Sequence, residues 1–277
     1  MPDQAYHASV IIDDPLLREN YGFLNFRKLL ELMDKHNFFT SIAFIPFNYK
    51  RTDEKIAYLF RNRPDRFCLC VHGCDHEKGE FGNKDSNYLD MKVTLATARM
   101  IEHERRTGIP FERVMVFPQG IFSNAALEVL AKNGYWAAVN TEPLPVDGSL
   151  SSSFPFFLRY KPEDVADVIC DPIFIVLHHD YFKNGYEKLG VLVDELKSRI
   201  STIKWDSVGN IVRSIVTTNP ATLNPAGVDL SGREYFGYKE IIKKSARRYA
   251  SEFRDNYVCK NDYLLNIVKK VRIMISN

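Results

Sequence analysis

The sequence has no run of about 18 uninterrupted apolar residues, so no transmembrane helix is expected. It shows no basic stretch leading into an apolar one near Met1, so no signal peptide is expected. It has no internal repeat and no excess of either charge. Lys plus Arg is 37 against 35 for Asp plus Glu, and a net charge of +2 calls for neither nucleic acid nor an acidic membrane as partner. Cysteine is sparse and odd in number, with five in the chain and three of them crowded at Cys68, Cys70 and Cys74. That argues against a secreted disulfide framework and for a reducing cytoplasm. What is present is ordinary globular composition: 277 residues, 45% hydrophobic and 26% charged. This excludes a disordered chain, a collagen-like repeat and a coiled coil.

Short apolar runs alternate with longer amphipathic segments over the first two thirds of the chain. Residues 9–13, 40–45, 66–71, 113–117, 135–139 and 172–177 read as buried strands, rich in Val, Ile and other apolar residues. Between them, 23–36, 53–62, 87–107, 124–133 and 186–200 read as helices. Phe23, Phe26, Leu29, Leu30 and Met33 carry the helical spacing of the first, and Gly108 with Pro110 stops the third. Six or more such strands favour a (β/α) barrel over a small open sheet.

The segment 141–155, with Pro143, Pro145, Gly148 and a serine run, reads as an exposed loop. The strand signal stops after about Thr217. Residues 233–277 hold 11 Lys or Arg against 5 Asp or Glu, a net +6, which leaves the remainder at 26 against 30, or −4. Ile241, Ile242, Ala246 and Tyr249 share one helical face there. A tail of this length can hardly bury a core of its own, so that face is expected to pack on the barrel or on another chain. The expected division is a barrel over 1–217 and a basic helical extension over 218–277. A solvated helical cap is the plainer reading of the tail, and a basic docking surface the other.

In a (β/α) barrel, functional side chains sit at the carboxyl ends of the strands. Those positions here read Asp13-Asp14-Pro15, His72-Gly73-Cys74-Asp75-His76, Pro118-Gln119-Gly120 and His178-His179-Asp180. Each is weak alone. Asp14 before Pro15 could open a helix, paired histidines often decorate surfaces, and Pro118-Gln119-Gly120 could be only a turn. Together they place four of the seven histidines on one rim. One carboxylate and two histidines make a three-ligand metal site with an open position for water. A second carboxylate can serve as general base and a histidine across the rim as general acid. A backbone N–H in the turn can help hold an oxyanion.

At these residues the sequence resembles the polysaccharide deacetylase family, carbohydrate esterase family four, over roughly residues 8–217. The family's first motif ends in Asp-Asp, matched by Asp13-Asp14. Its His-x-x-x-His motif is matched by His72 and His76. Its Pro-aromatic-Gly motif is matched in part by Pro118-Gln119-Gly120, and its Leu-x-His motif by Leu177 and His179. The resemblance implies a deformed, incomplete TIM-like barrel, of seven or so parallel strands, and the sequence beyond it reads as a C-terminal helical extension. The resemblance implies Asp13 as base, Asp14, His72 and His76 as metal ligands, and His179 as acid, with His178 as its alternative. It also implies N-deacylation of an amino sugar. Zinc suits such mixed ligands, and cobalt, nickel or iron are also accepted.

The sequence departs from the family's pattern in three places. Val116 stands where the family has the Arg that orients the base, Gln119 replaces the aromatic, and the fourth motif is unmatched, with Trp136 and Asn140 in its neighbourhood. Arg18 and Arg159 are candidates for the missing Arg. Gln119 and Gly120 are expected at the oxyanion. Asn48 and Tyr49, in the Phe47–Arg51 segment after the second strand, are expected at the sugar, with Lys50 and Arg51 meeting a phosphate.

The expected setting is a cytoplasmic step of surface polysaccharide biosynthesis on a lipid- or nucleotide-linked sugar. An amidohydrolase acting on a small nitrogen compound and an inactive glycan-binding barrel are the alternatives. Cys68 and Cys70 read as core filler within a strand, and Cys74 lies between the proposed ligands. Protein purified without chelator is expected to carry one divalent cation per chain. His76→Ala should carry less by metal analysis, and undiminished metal in that variant would remove the assignment.

Overall fold

The computed structural model describes residues 5–165, 168, 170–216 and 227–268. Seven parallel strands close on themselves: β1 (Tyr6–Asp13), β2 (Thr40–Phe44), β3 (Phe67–His72), β4 (Phe111–Val116), β5 (Ala137–Asn140), β6 (Phe156–Tyr160) and β7 (Ile173–Leu177). Closure is made where Ala8–Ile12 of β1 pair with Ile173–Leu177 of β7. On its other edge β1 pairs with β2 only from Val10 onward, which frees Tyr6–Ala8 to pair with an extra strand, β8 (Ile203–Trp205). The expected deformed barrel is therefore present. Two strands escaped the sequence reading. β6 follows directly on the Pro- and Ser-rich loop and mixes Arg159 into an aromatic run, while β8 has three residues and no readable period.

The pleat sorts side chains into two cores. Ile11, Ala43, Cys70, Val114, Val116, Ala137, Val139 and Phe174 point into the barrel. Val10, Ile12, Ile42, Phe44, Leu69, Met115 and Ile175 point outward beneath the helices. Helix α6 (Val208–Ile215) plugs the amino-terminal end of the barrel with Val208, Ile211 and Val212. The half-buried Glu112 carboxylate, at the start of β4, accepts the hydroxyl of Ser207 and the backbone N–H of Gly209, holding the start of that plug. One end of the barrel is thus filled with apolar side chains, and chemistry is left to the other.

Five helices cover the outer face: α1 (Phe26–His36), α2 (Glu54–Asn62), α3 (Ser86–Thr107), α4 (Asn124–Lys132) and α5 (Glu187–Arg199). Their bounds lie close to the expected ones because their ends carry readable caps. Asn25, Asp53, Asp85 and Ser123 accept backbone N–H groups at the starts of α1 to α4. Gly108 ends α3 in the left-handed conformation. The first helix starts three residues later than expected. A small hairpin, Asn20–Tyr21 against Leu24–Asn25, precedes it and turns at Gly22.

Within the tail, 227–268 are described, and the first part of the expected extension, 218–226, lies outside the described residues. Helix α7 (Arg233–Phe253) meets the barrel with Phe236, which packs on the core, and otherwise mainly with polar side chains. Lys244, 3% exposed, donates to Asp75. Glu252 pairs with Arg18 and Arg51, and beyond the helix Asp255 accepts the Tyr21 hydroxyl at 2.7 Å. Of the face expected to pack on the barrel or on another chain, Ile242 and Tyr249 do not pack on the barrel, being 52% and 61% exposed. Ion pairs to buried carboxylates took the inward face instead.

Lys92 has no exposed side-chain area and faces Asp75 at 2.7 Å, Glu77 at 3.0 Å and Glu80 at 3.3 Å. Replacing it with an apolar residue strands carboxylates in the core. Lys92→Met is expected to destabilise the fold by about 3–5 kcal/mol, read from denaturant midpoints. A loss typical of a surface substitution would refute the arrangement.

Candidate active site

The open end of the barrel holds a cavity of about 670 Å³ lined by Asp13, Asp14, His72, His76, Gln119, Gly120, Arg159 and His178, among others. Pleat parity delivers four of these. Asp13 follows the inward-facing Ile11 by two residues, His72 follows Cys70, Arg159 follows Phe157, and His178 follows Phe174 by four. Val116, the position expected to lack an Arg, is also inward and is buried.

Asp14 would point away from Asp13 if the strand continued. Its φ of +76° turns the chain instead, and both carboxylates reach the mouth. Non-glycine residues rarely adopt this conformation, and such outliers gather at functional sites. His76, at φ +58°, is a second case.

Asp14 Oδ1 lies 3.3 Å from His72 Nε2 and 3.0 Å from His76 Nε2. One carboxylate oxygen and the two ring nitrogens fall within 4.8 Å of one another. The Val116 carbonyl sits 2.9 Å from His72 Nδ1 and can only accept, so Nδ1 carries a proton. In the neutral ring, Nε2 then turns its lone pair toward Asp14. Asp14 Oδ1 is buried and has no hydrogen-bond partner. A carboxylate oxygen without a partner, faced by two imidazole nitrogens, is the donor set a divalent cation satisfies. Burial pushes the Asp14 carboxyl up, but His76 and His72 outweigh it and hold it well below the usual range.

Asp13 is 2% exposed and accepts from Arg159 Nη1 at 2.6 Å. Burial raises its pKa, while the Arg159 guanidinium and His72 bring it below the ordinary carboxylate value. Of the two candidates for orienting this carboxylate, Arg159 reaches it, whereas Arg18 is bonded to Glu252. His178 Nε2 stands 3.8 Å from Asp13 Oδ2, with 53% of its side chain exposed.

His179, expected as the acid, lies one residue out of phase with the inward row. Its ring stacks on Phe23, meets Tyr21 edge-on, and places Nε2 3.5 Å from Asp255. It fits there only because Gly22 has no Cβ, which would fall 2.2 Å from Nδ1. Asn48 and Tyr49, expected at the substrate, are buried and do not line the cavity. Asn48 accepts from Arg51, and Tyr49 is covered by the Lys50 ammonium. Gln119 and Gly120 do line it. Cys68, Cys70 and Cys74 are free, and burial pushes each thiol up, as core positions would.

The ligand loop rests on residues that the sequence reading passed over. The Glu80 carboxylate accepts the backbone N–H groups of Cys74, Asp75 and His76 at 2.9, 3.1 and 3.1 Å. Gly73 lets it approach, because a Cβ there would meet Glu80 Oε1 at 2.1 Å. Asp75 is bonded in turn to Lys92, Arg99 and Lys244. One signal could have found part of this. Lys92 and Arg99 are seven residues apart and in phase with Leu89, Val93, Ala96 and Met100 on the apolar face of α3.

Barrel and site together define a deformed TIM-like barrel with a carboxylate–imidazole centre at its carboxyl end. No family model and no curated protein matches the chain. Solved structures do share its fold. The Xyl-CE4 domain of a multidomain xylanase from the hindgut metagenome of Trinervitermes trinervoides aligns over 79% of this chain and 95% of its own, at 12% identity and TM-score 0.52. The T48 deacetylase, solved with substrate, aligns over 78% and 94%, at 11% identity and TM-score 0.50. A CE4 family pseudoenzyme from Bacillus anthracis aligns over 76% and 66%, at 11% identity and TM-score 0.52. The fold is thus that of carbohydrate esterase family four. The same fold serves a pseudoenzyme as well as a deacetylase, so the fold alone does not decide activity.

Glu80→Gln is expected to lower metal affinity about 10–100-fold, as losing a group that orients a ligand usually does. Competition with a chelator checks this, with circular dichroism as the control for folding. Unchanged affinity would show that Glu80 does not hold the loop.

Proposed function

We propose that the chain is a metal-dependent hydrolase that removes an N-acyl group, N-acetyl in the simplest case, from an amino sugar. The observation that carries this reading is the convergence of Asp14, His72 and His76 beside an Asp13 that Arg159 holds ionised. Asp14, His72 and His76 would hold one divalent cation, with zinc favoured by the donor set. Such a cation, when bound, polarises an acyl carbonyl and makes water acidic enough to attack.

The remaining steps belong to this chain's own residues. Asp13 takes the proton of the attacking water, and Arg159 keeps that carboxylate charged and aimed. The Pro118–Gly120 turn brings backbone to the cavity wall near the developing oxyanion. His178 gives a proton to the departing amine. We assign the acid to His178 rather than His179 because His178 faces the cavity and Asp13. Arg159 does the work expected of the Arg that Val116 replaces, which favours an active enzyme over an inactive glycan-binding barrel.

Lys161 and Lys188 also line the cavity. They offer charge to a phosphate and support a lipid- or nucleotide-linked sugar as substrate. Such a substrate fits a cytoplasmic step in surface polysaccharide assembly.

Release of acetate from an N-acetylated amino sugar tests the reading. Asp13→Asn should keep its metal and lose about 10²–10⁴-fold in turnover. Asp14→Asn should lose metal first, with activity partly restored by excess metal. His178→Ala should cost more turnover than His179→Ala. Metal lost from Asp13→Asn and kept by Asp14→Asn would reverse the two roles. Hydrolysis indifferent to all of these changes would sink the proposal.

A further inference from the structure

Helix α7 turns its polar side toward the barrel and leaves an aromatic row in water. After the non-helical Gly237, at φ +74° and ψ +162°, come Tyr238, Ile242, Tyr249, Phe253 and Tyr257, exposed by 62, 52, 61, 58 and 63%. At 100° per residue the four on α7 fall within an arc of about 60°, along roughly 22 Å of helix, and Tyr257 follows them in the wider helical turn Arg254–Val258. Beyond them Tyr263 is 74% and Ile267 41% exposed. Single exposed aromatics are ordinary on a protein surface, but a continuous row of this length marks an interaction surface.

The chemistry of the row selects its partner. Three of the five side chains are tyrosines, with an apolar ring and a polar tip suited to the boundary between water and hydrocarbon. Ile242 and Ile267 have no flat face to stack on a sugar, which argues against a glycan. Lys239, Lys243 and Arg247 follow along one edge of the row and are exposed. The stretch 233–277 carries +6 while the rest of the chain carries −4. A second copy would set like charge against like charge along that edge, whereas an anionic surface would complement it.

We propose that this face of α7 docks the protein on an anionic lipid surface, with the aromatic row entering the headgroup region and the basic edge meeting lipid phosphates. The helix lies flat on the surface. Among the described residues no helix is long and apolar enough to cross a membrane. The surface stands apart from the cavity at the barrel mouth, and the inference does not depend on the deacetylase reading.

Flotation of the full chain with vesicles tests it. Binding is expected to phosphatidylcholine mixed with phosphatidylglycerol, to weaken as salt rises, and to be much weaker with phosphatidylcholine alone. The triple change Lys239→Gln, Lys243→Gln and Arg247→Gln should reduce binding to anionic vesicles roughly 100-fold. The triple change Tyr249→Ser, Phe253→Ser and Tyr257→Ser should reduce it by roughly tenfold or more. All six side chains are exposed, so an unchanged thermal midpoint verifies that both variants fold. Failure of the parent chain to float with anionic vesicles at low salt would overturn the proposal. So would binding that neither triple change alters, or a concentration-dependent dimer that the aromatic change abolishes.

Discussion

The Asp75 carboxylate is the contact on which most of this structure turns. It lies on the loop between His72 and His76, 3% exposed, and meets Lys92, Arg99 and Lys244 at 2.6–2.8 Å. Lys92 and Arg99 come from α3 and Lys244 from α7, so one buried anion joins the ligand loop, a barrel helix and the tail. Burying so much charge is costly, and well-packed apolar residues would be at least as stable. What such a network can provide is a fixed geometry. Glu80 beside it collects three consecutive backbone N–H groups of the same loop. His76 can then be held at a positive φ that an unsupported loop would relax.

The same logic separates the two adjacent aspartates. Asp13 is the last residue of a strand, takes its direction from the pleat, and is met by an arginine two strands away around the barrel. Asp14 is turned by its backbone toward two imidazoles. Similar side chains thus acquire different electrostatic partners, one a guanidinium and the other two imidazole nitrogens. The opposite end of the barrel is plugged by α6, and the cavity with both carboxylates lies at the other end.

The tail reverses the usual arrangement of an amphipathic helix. Its charged residues pair with charges of the barrel, and all its rings but Phe236 face outward. A helix that packs by polar contacts is free to use its apolar face for something else, and that inversion makes the lipid-docking proposal specific.

Much of the molecule was legible in the sequence because it depends on local periodicity. Continuous apolar strands, capped helices and the Asp-Asp and His-x-x-x-His pairs are written within a few residues, and they pointed to the barrel and to Asp14, His72 and His76 as a group. Other features were not local. Whether His178 or His179 faces the cavity depends on the phase of β7 relative to the closed barrel, and a shift of one residue exchanges inside for outside. Arg159 became the partner of Asp13 only because closure brings β6 near β1 across 146 residues. The inward polar face of α7 depends on carboxylates that lie more than 150 residues earlier. Spacing along the chain determined which side chains could act together. The register and closure of the sheet decided which of them meet, because those contacts join strands and helices that no sequence window contains.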